Sequence, residues 1–343
     1  MKKLLALFSL LLLVIACGPA PTAGPAALKL VTHDSFEISE ATITAFQEET
    51  GHTVEIVKLG DAGEMINQSI LSKNNPLGDV IFGIDNTFLS RALENNILLA
   101  HNSAELSHIN DALKLDPGNH ALPVDYGDVC LNYDIAWFND NGVAPPSTLA
   151  DLTDAAYAGL TVVENPATSS PGLAFLMATI DAFGEDGYLD YWTQLVANDV
   201  LVENGWSEAY YEAFSLYGGD RPIVVSYASS PPAEVFFGEL DAAATGTVTS
   251  PQSCFRQIEF VGVLDGTKHE AAAKELVDFM LGTTFQEDIP MNMFVFPSNN
   301  EAELPEVFAT YAEIPDEPAT ISPEMISAER ENWISAWTDT VLR

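Results

Sequence analysis

Short runs of β-branched and apolar residues alternate with longer segments of helical spacing along most of this chain. Residues 28–32, 53–59 and 79–84 have the composition of buried strands, and residues 38–49 and 65–73 between them carry helical apolar spacing. Such alternation predicts an α/β lobe with a largely parallel sheet, because each helix returns the chain to the same edge.

A second set of the same kind follows. Strands are expected at 159–163, 200–202 and 222–227, and helices at 172–183, 187–197 and 207–216. Two further helices are expected at 269–281 and 322–342, the latter opening with a Ser-Pro-Glu start signal. The chain therefore carries two sets of elements, each large enough for its own lobe.

Two extended stretches, 121–133 and 254–264, are placed to join the lobes. This organisation predicts an α/β fold of two lobes with a ligand cleft between them, joined by two hinge strands. The expected lobe 1 comprises residues 28–124 plus 258–343 with the C-terminal helices, and lobe 2 comprises residues 125–257. Many α/β enzymes show similar alternation, so the pattern alone does not identify the function.

The charge balance narrows the class of partner. The 343 residues include 13 Lys and Arg against 50 Asp and Glu, a formal net charge of −37, while 47% of the residues are hydrophobic. A chain this apolar can bury a core, so its acidity does not indicate disorder. Binding to a nucleic-acid backbone needs clustered basic residues and is excluded. The charge is typical of a solvated acidic surface, and it is weak support for a cationic ligand.

The first residues are typical of an export signal. Lys2 and Lys3 precede an apolar run over 4–16 that is too short to span a bilayer comfortably. Cys17 follows a small residue, as in a bacterial lipobox, which predicts a signal peptide at 1–16 and lipidation of Cys17. An ordinary signal peptide with an incidental cysteine is the alternative. Residues 17–27 are rich in Pro, Gly and Ala and predict a tether, so we expect an exported protein anchored to a membrane.

If Cys17 carries the lipid, two cysteines remain, Cys130 and Cys254. In an oxidising compartment they are plausible disulfide partners. Two buried free thiols, or one reactive thiol, stay open as alternatives at this stage.

Signatures of common catalytic sites are missing from the sequence. It contains no GxGxxG, GxxxxGK[ST], HExxH, CxxC or GxSxG motif, and its six histidines have no metal-ligand spacing. No pair of carboxylates stands out as an acid–base couple. We therefore expect neither an enzyme, nor a metal site, nor a cofactor.

Polar and aromatic loops instead follow the predicted strands, where open α/β sheets place their ligands. They contain the sequences DSF (34–36), GIDN (83–86), DYG (125–127), TSSPG (168–172), GWSEAY (205–210) and SYASSP (226–231), and FQEDIP with FVFP (285–297) lies near the end. At these residues, over about 29–308, the chain resembles the thiamine-binding solute receptors of bacterial ABC importers, within the larger ferric-ion, sulfate and polyamine receptor group. GWSEAY, with TSSPG before it and the SYxxSP pattern after it, carries most of the resemblance.

The resemblance implies a two-lobed periplasmic-binding-protein fold of type II and a cleft that binds thiamine or its phosphates. Thiamine joins a flat aminopyrimidine to a cationic thiazolium, which suit aromatic faces and carboxylates. By resemblance Trp206 and Tyr227 stack on the ligand, Asp61 is a polar anchor and Ser169 is a hydrogen-bonding contact. The other candidates for the ligand site are Ser170, His33, Phe294, Tyr210, Asp85, Asp125 and Tyr126.

Several of these candidates have a simpler structural interpretation. Trp206 and Tyr227 could be packing residues, Asp61 could shape a turn, and Ser169 could cap the following helix. Asp85, Asp125 and Tyr126 fit hinge or turn positions better than ligand contacts. Two positions depart from the family: His33 stands where it often has Tyr, and Ala233 replaces an aromatic residue. Phe294 stands where the family often has Trp and could still stack.

The partners implied are an ABC permease with its ATPase, and we expect a monomer. One alternative is a receptor for another small cation, a polyamine or ferric ion. Tyr210 and Tyr211 are adjacent, as in ferric-ion receptors, but their helical context points the two side chains about 100° apart. A different class of protein, a thiaminase-like enzyme, would use Cys130 as its nucleophile.

Overall fold

The computed structural model describes residues 24–343. The predicted signal peptide, Cys17 and tether residues 18–23 lie outside the described residues. Within the described part of the chain, no helix is both long and apolar enough to cross a membrane.

Within residues 24–343, eleven strands form one mixed sheet. They are β1 (Ala27–Thr32), β2 (Thr53–Lys58), β3 (Val80–Asp85), β4 (Leu98–Leu99), β5 (Leu122–Asp134), β6 (Thr161–Glu164), β7 (Leu201–Glu203), β8 (Ile223–Tyr227), β9 (Thr245–Val248), β10 (Phe255–Leu264) and β11 (Phe296–Pro297).

The helices lie between and after these strands. They are α1 (Glu40–Thr50), α2 (Ala62–Leu71), α3 (Leu89–Glu94), α4 (Ile135–Asn141), α5 (Ser170–Phe183), α6 (Tyr188–Ala197), α7 (Trp206–Glu208), α8 (Pro231–Gly238), α9 (Glu270–Leu281), α10 (Thr283–Gln286), α11 (Ile289–Asn292), α12 (Glu306–Tyr311) and α13 (Pro323–Val341).

The sheet has two halves. Its strand order is β2-β1-β3-β10-β5-β8-β6-β7. In one half β1 pairs in parallel with β2 and β3, and in the other β6 pairs in parallel with β7 and β8. We call these halves lobe 1 and lobe 2. The two long strands β5 and β10 run antiparallel to their neighbours and belong to both, because β10 pairs with β3 while β5 pairs with both β10 and β8.

Capping residues fix where the helices of the cleft begin. The Asp61 carboxylate accepts the Ala62 amide at the start of α2, and Ser169 Oγ accepts the Gly172 amide at the start of α5. Pro171 stands in the first turn of α5, where a missing N–H costs nothing. Each helix follows a strand after a short loop, and Asp61 and Ser170 at their N-terminal ends line the space between the lobes.

The C-terminal helix α13 contacts both lobes. Trp337 packs edge-on against Trp192 of α6 in lobe 2, with 5.4 Å between ring centroids. Arg330 of the same helix donates a hydrogen bond to the Thr87 carbonyl beside α3 in lobe 1. Helix α13 therefore packs against elements of both lobes. The predicted residue boundaries of the lobes stay predictions.

Most of the predicted elements form, and two differ. The strand expected to be buried at 53–59 is β2, which lies at the sheet edge with largely exposed side chains. The single helix expected at 207–216 is divided into the short helix α7, a π-helical turn over Ala209–Ala213 and a 3₁₀ turn over Ser215–Tyr217. Within this stretch Tyr210 is buried, whereas Tyr211 and Tyr217 stay about half exposed.

Candidate ligand-binding site

A cavity of about 480 Å³ lies between the lobes. The lining includes four carboxylate side chains, contributed by lobe 1 and β10: Asp34, Glu37, Asp61 and Glu259. The aromatic side chains from lobe 2 are Trp206, Tyr210, Tyr211, Tyr217, Tyr227 and Phe237. None of the described residues that line the cavity is Lys or Arg. The cavity therefore has an acidic wall, the four carboxylates, facing an aromatic wall, the six rings.

Trp206 is held in a fixed orientation on the aromatic wall. Its indole N–H donates to Ser226 Oγ at 3.0 Å. One face of the ring stacks on Tyr210, with centroids 4.8 Å apart and planes inclined by 18°. The Tyr210 hydroxyl in turn donates to the buried Glu234 carboxylate at 3.0 Å. A ring fixed in this way is prepared to stack on a flat ligand without losing further side-chain freedom.

Tyr227 is held in place by a hydrogen bond from its hydroxyl group and by contact of its ring with strand β5. Its hydroxyl donates to Gln257 Oε1 at 2.9 Å, and Gln257 Nε2 donates to Ser170 Oγ at 2.9 Å. The ring lies against Gly127 of β5, where an added Cβ would come within 2.8 Å of Tyr227 Cδ1. The DYG sequence therefore needs its glycine at the point where the hinge strand passes the Tyr227 ring.

Asp61 joins the two lobes. Its Oδ1 accepts the Ser170 amide at 3.1 Å and its Oδ2 accepts the Trp206 amide at 3.0 Å, both from lobe 2. Burial raises the pKa of Asp61 to about 6, against the opposing effect of these two hydrogen bonds. Asp61 lines the cavity as predicted, but its hydrogen bonds go to protein amides, so its geometry is that of a contact between lobes.

His33 and Glu259 form a buried pair in the acidic wall, with 3.3 Å between His33 Nε2 and Glu259 Oε1. Burial lowers the pKa of His33, but attraction to Glu259, with smaller contributions from Asp61 and Asp34, outweighs this and raises it above the usual value. His33 is also the only basic side chain among the described residues of the lining.

Four candidates lie outside the cavity walls. Ser169 is fully buried and caps α5, which is the simpler interpretation of its sequence. Asp85 is also fully buried, and its carboxylate accepts the Thr87 hydroxyl and the Thr87 and Phe88 amides. Asp125 and Tyr126 belong to β5, where Tyr126 stacks on Phe296 at 5.3 Å. These positions agree with the turn and hinge roles weighed for the last three.

Other side chains in the lining were not singled out as ligand contacts from the sequence. They include Glu37, Glu259, Tyr211, Tyr217 and Phe237, while Phe294 also lines the cavity and Ala233 contributes a small side chain. A signal for Glu259 was present, because it is the one acidic residue in the otherwise largely apolar strand β10. Tyr211 and Tyr217 reach the cavity only because the chain leaves the α-helix after α7.

Cys130 and Cys254 form a disulfide, with a Cα–Cα distance of 4.3 Å. Cys130 lies in β5 and Cys254 directly precedes β10, so the bond ties the two hinge strands together at their lobe 2 end. Both residues are fully buried, and neither lines the cavity. Cys130 is therefore not a free nucleophile, and the geometry does not support the thiaminase-like alternative.

Comparison with known proteins places this geometry in a family. Residues 75–311 match the family model of bacterial extracellular solute-binding proteins. The chain belongs to this family. A solute-binding protein of this family is an extracytoplasmic binding protein and not an enzyme, as the sequence predicts.

Individual relatives of this solute-binding protein are also periplasmic binding proteins. It is 28% identical over 341 residues to a thiamine-binding periplasmic protein of Salmonella typhimurium, covering 96% of this chain and 98% of that one. The corresponding protein of Escherichia coli is 27% identical with the same coverage of each chain.

Solved structures give the fold. A periplasmic thiamin-binding protein superimposes with a TM-score of 0.81 at 26% identity, covering 92% of this chain and 96% of that one. The periplasmic binding protein AfuA of Actinobacillus pleuropneumoniae superimposes with a TM-score of 0.78 at 21% identity, with coverage of 92% and 99%. The predicted type II periplasmic-binding-protein fold, with a cleft between two lobes joined by hinge strands, is confirmed.

Proposed function

We propose that this solute-binding protein is a receptor that traps thiamine between its lobes and delivers it to an ABC permease. The observation that carries the proposal is the pairing of the aromatic wall with the acidic wall in a cavity whose described lining has no Lys or Arg. Thiamine has one flat aminopyrimidine and one cationic ring, which match these two walls. Its named relatives are thiamine-binding proteins, which supports the same ligand.

In this proposal each wall acts on a different part of the ligand. The aminopyrimidine stacks against the Trp206 ring and beside Tyr227, while the thiazolium lies toward the carboxylates. Closure brings Asp61 against the amides of Ser170 and Trp206, so these contacts exist only when the lobes are together. Ligand contacts to both walls then favour the closed state.

The charge of the cavity lining bears on the choice between thiamine and its phosphates. Phosphate groups are bound most strongly by Arg and Lys, which the described lining does not contain. We therefore propose thiamine itself as the principal ligand, with thiamine phosphates as secondary ligands. We propose no cofactor and no metal, and we propose that the receptor acts as a monomer.

Calorimetric titration with thiamine tests the proposal. Trp206→Ala and Tyr227→Ala should each weaken binding by at least about tenfold, since a stacked ring contributes roughly 0.5–1.5 kcal/mol beyond its buried area. The matched control is Trp137→Ala, which removes an indole from α4 outside the cavity and should leave thiamine affinity unchanged. Unchanged affinity in both cavity variants would refute the stacking assignment.

The alternatives are tested by titrating a polyamine, ferric ion and the thiamine phosphates in parallel. Thiamine should bind at least about a hundredfold more tightly than the polyamine or ferric ion, a difference of about 2.7 kcal/mol. If one of those two binds more tightly than thiamine, the protein is a receptor of the larger group with a different cargo.

Membrane anchoring through Cys17 is a separate part of the proposal. Expressed with its full leader in a bacterial host, the protein should sediment with membranes and incorporate a labelled fatty acid. Cys17→Ser should abolish the label and release any exported protein from the membrane. Label that persists in the variant would exclude Cys17 as the lipidated residue.

A further inference from the structure

Three carboxyl groups stand side by side across the centre of the sheet. Glu259 on β10 pairs with Asp85 on β3 and with Asp125 on β5, so the three residues occupy one row across three strands. All three residues are buried. Three ionised carboxylates in this row would repel strongly, so some of them must hold protons or face a cation.

The surroundings of the two outer carboxyl groups, Asp85 and Asp125, favour their protonated forms. Asp85 accepts three hydrogen bonds from Thr87 and Phe88, and burial still raises its pKa to about 7. Burial, followed by the charge of Glu259, raises the pKa of Asp125 well above its usual range. Glu259 differs from both because it lines the cavity, where a ligand can reach it.

In the cavity the partner of Glu259 is His33. Gly83 leaves the room for this pair, since an added Cβ there would lie 2.4 Å from His33 Cδ2 and 3.5 Å from Glu259 Oε1. Asp61 and Asp34 also face His33. The Tyr227 ring approaches Glu259 from β8 and carries no charge at neutral pH.

We infer that Glu259 is the specificity-determining carboxylate for the cationic ring of the ligand, and that the ligand displaces the proton of His33. Without ligand, the His33 imidazolium balances Glu259. When the thiazolium arrives, two positive charges would share one buried carboxylate, so His33 releases its proton to water and remains neutral. This inference rests on the proposed function. It adds that Glu259 recognises the positive charge of the ligand and that binding releases the proton of His33.

Proton release is measured by calorimetry with thiamine near pH 7 in two buffers of different ionisation enthalpy. The observed heat should depend on the buffer, with about one proton released per thiamine where His33 is mostly protonated, and fewer as the pH rises through its pKa. The uncharged hydroxymethyl-aminopyrimidine half of thiamine should bind more weakly and release no proton, because it leaves the His33–Glu259 pair intact.

Two variants and a matched control test whether Glu259 and His33 are responsible for the proton release. Glu259→Gln should weaken thiamine binding by at least about tenfold and abolish proton release. His33→Gln should abolish proton release, because the amide has no proton to lose at neutral pH. His101→Gln removes another histidine paired with a carboxylate, 2.6 Å from Asp278 Oδ1 but outside the cavity, and should keep the full proton release.

The outcomes separate this inference from the proposed function. Thiamine binding with no buffer-dependent heat, equal proton release by the uncharged half, or unchanged release in His33→Gln would each overturn the inference while leaving a thiamine receptor. No thiamine binding at all would overturn the proposed function instead. If Glu259→Gln does not fold, proton release by His33→Gln with thiamine, and by the unmodified protein with the uncharged half, still tests the inference.

Discussion

At Gly127 the hinge strand β5 passes directly beside the ring of Tyr227, and a methyl group would occupy the same space. The side chain of Val295 lies on the other side, 3.2 Å from the position of an added Cβ. Tyr227 is further fixed through Gln257 and Ser170. The position of this ring in the cavity therefore depends on one backbone position of a different strand.

Gly127→Ala should displace Tyr227 and weaken thiamine binding by about tenfold, a loss of about 1.4 kcal/mol. Titration calorimetry measures this, and a melting curve monitored by circular dichroism checks that the fold is kept. Gly24→Ala is the control, because an added Cβ there meets nothing within 4 Å. An unchanged affinity in Gly127→Ala would mean that Tyr227 does not depend on this contact.

Among the elements, the first turn of α2 meets the loop before α5 across the cleft. Gly63 in the first turn of α2 lies so close to the loop before α5 that an added Cβ would be 2.5 Å from the Thr168 carbonyl oxygen. The Glu64 amide donates to the same oxygen at 3.3 Å. Backbone meets backbone here, so the contact cannot relax by moving a flexible side chain.

Gly63→Ala should hinder closure of the lobes and weaken thiamine binding by more than about tenfold, with little effect on the separate lobes. Small-angle scattering should show a smaller compaction on adding saturating thiamine than in the unmodified protein. Gln68→Ala, on the exposed side of the same helix, should behave as the unmodified protein does. Full compaction with unchanged affinity in Gly63→Ala would show that the close approach is not needed for binding.

At the scale of the whole molecule, several buried titratable groups near the hinge have raised pKa values. The pKa values of Asp61 and Asp85 rise to about 6 and about 7, and those of Asp125 and His33 are also raised. Each of these groups binds its proton more tightly when folded than when unfolded. Their contribution to stability is therefore greatest at low pH and is lost as the pH rises through the folded values.

We expect the ligand-free protein to melt at a higher temperature near pH 5.5 than near pH 8, by roughly 3 °C, since about 1 kcal/mol shifts the melting temperature of a protein this size by about 1.4 °C. Asp85→Asn should reduce the difference, because the amide keeps an acceptor for Thr87 but has no proton to gain. Scanning calorimetry at the two pH values measures this, and a higher melting temperature at pH 8 would contradict it.

The sequence was most informative about elements whose pattern is local. Strand β3 and helix α5 are strongly apolar and form close to their predicted positions. The predicted residues Trp206, Tyr227 and His33 all reach the cavity, because they stand at strand ends or helix starts that face the cleft. Periodicity is enough for such elements, since the same residues that define the pattern also make the core.

The remaining features depend on how strands pair and how distant segments pack, which a single sequence does not reveal. Glu259 lies in a strand that periodicity places correctly, but its role follows from the registers of β3 and β5 beside it. Tyr217 reaches the cavity through the change from α-helix to π-helical and 3₁₀ turns, which propensity does not predict. The two contacts of α13 likewise depend on how the lobes lie together.

The separation of charge and aromaticity onto opposite walls of the cavity also bears on the kinetics of capture. In an open receptor, the acidic wall attracts a cation over a distance of about one Debye length, so added salt should slow arrival of the ligand. Stacking on the aromatic wall acts only at contact and is insensitive to salt, and the bound ligand leaves only when the lobes separate. Ionic strength should therefore act mainly on the association rate, whereas the residence time should follow the rate of opening.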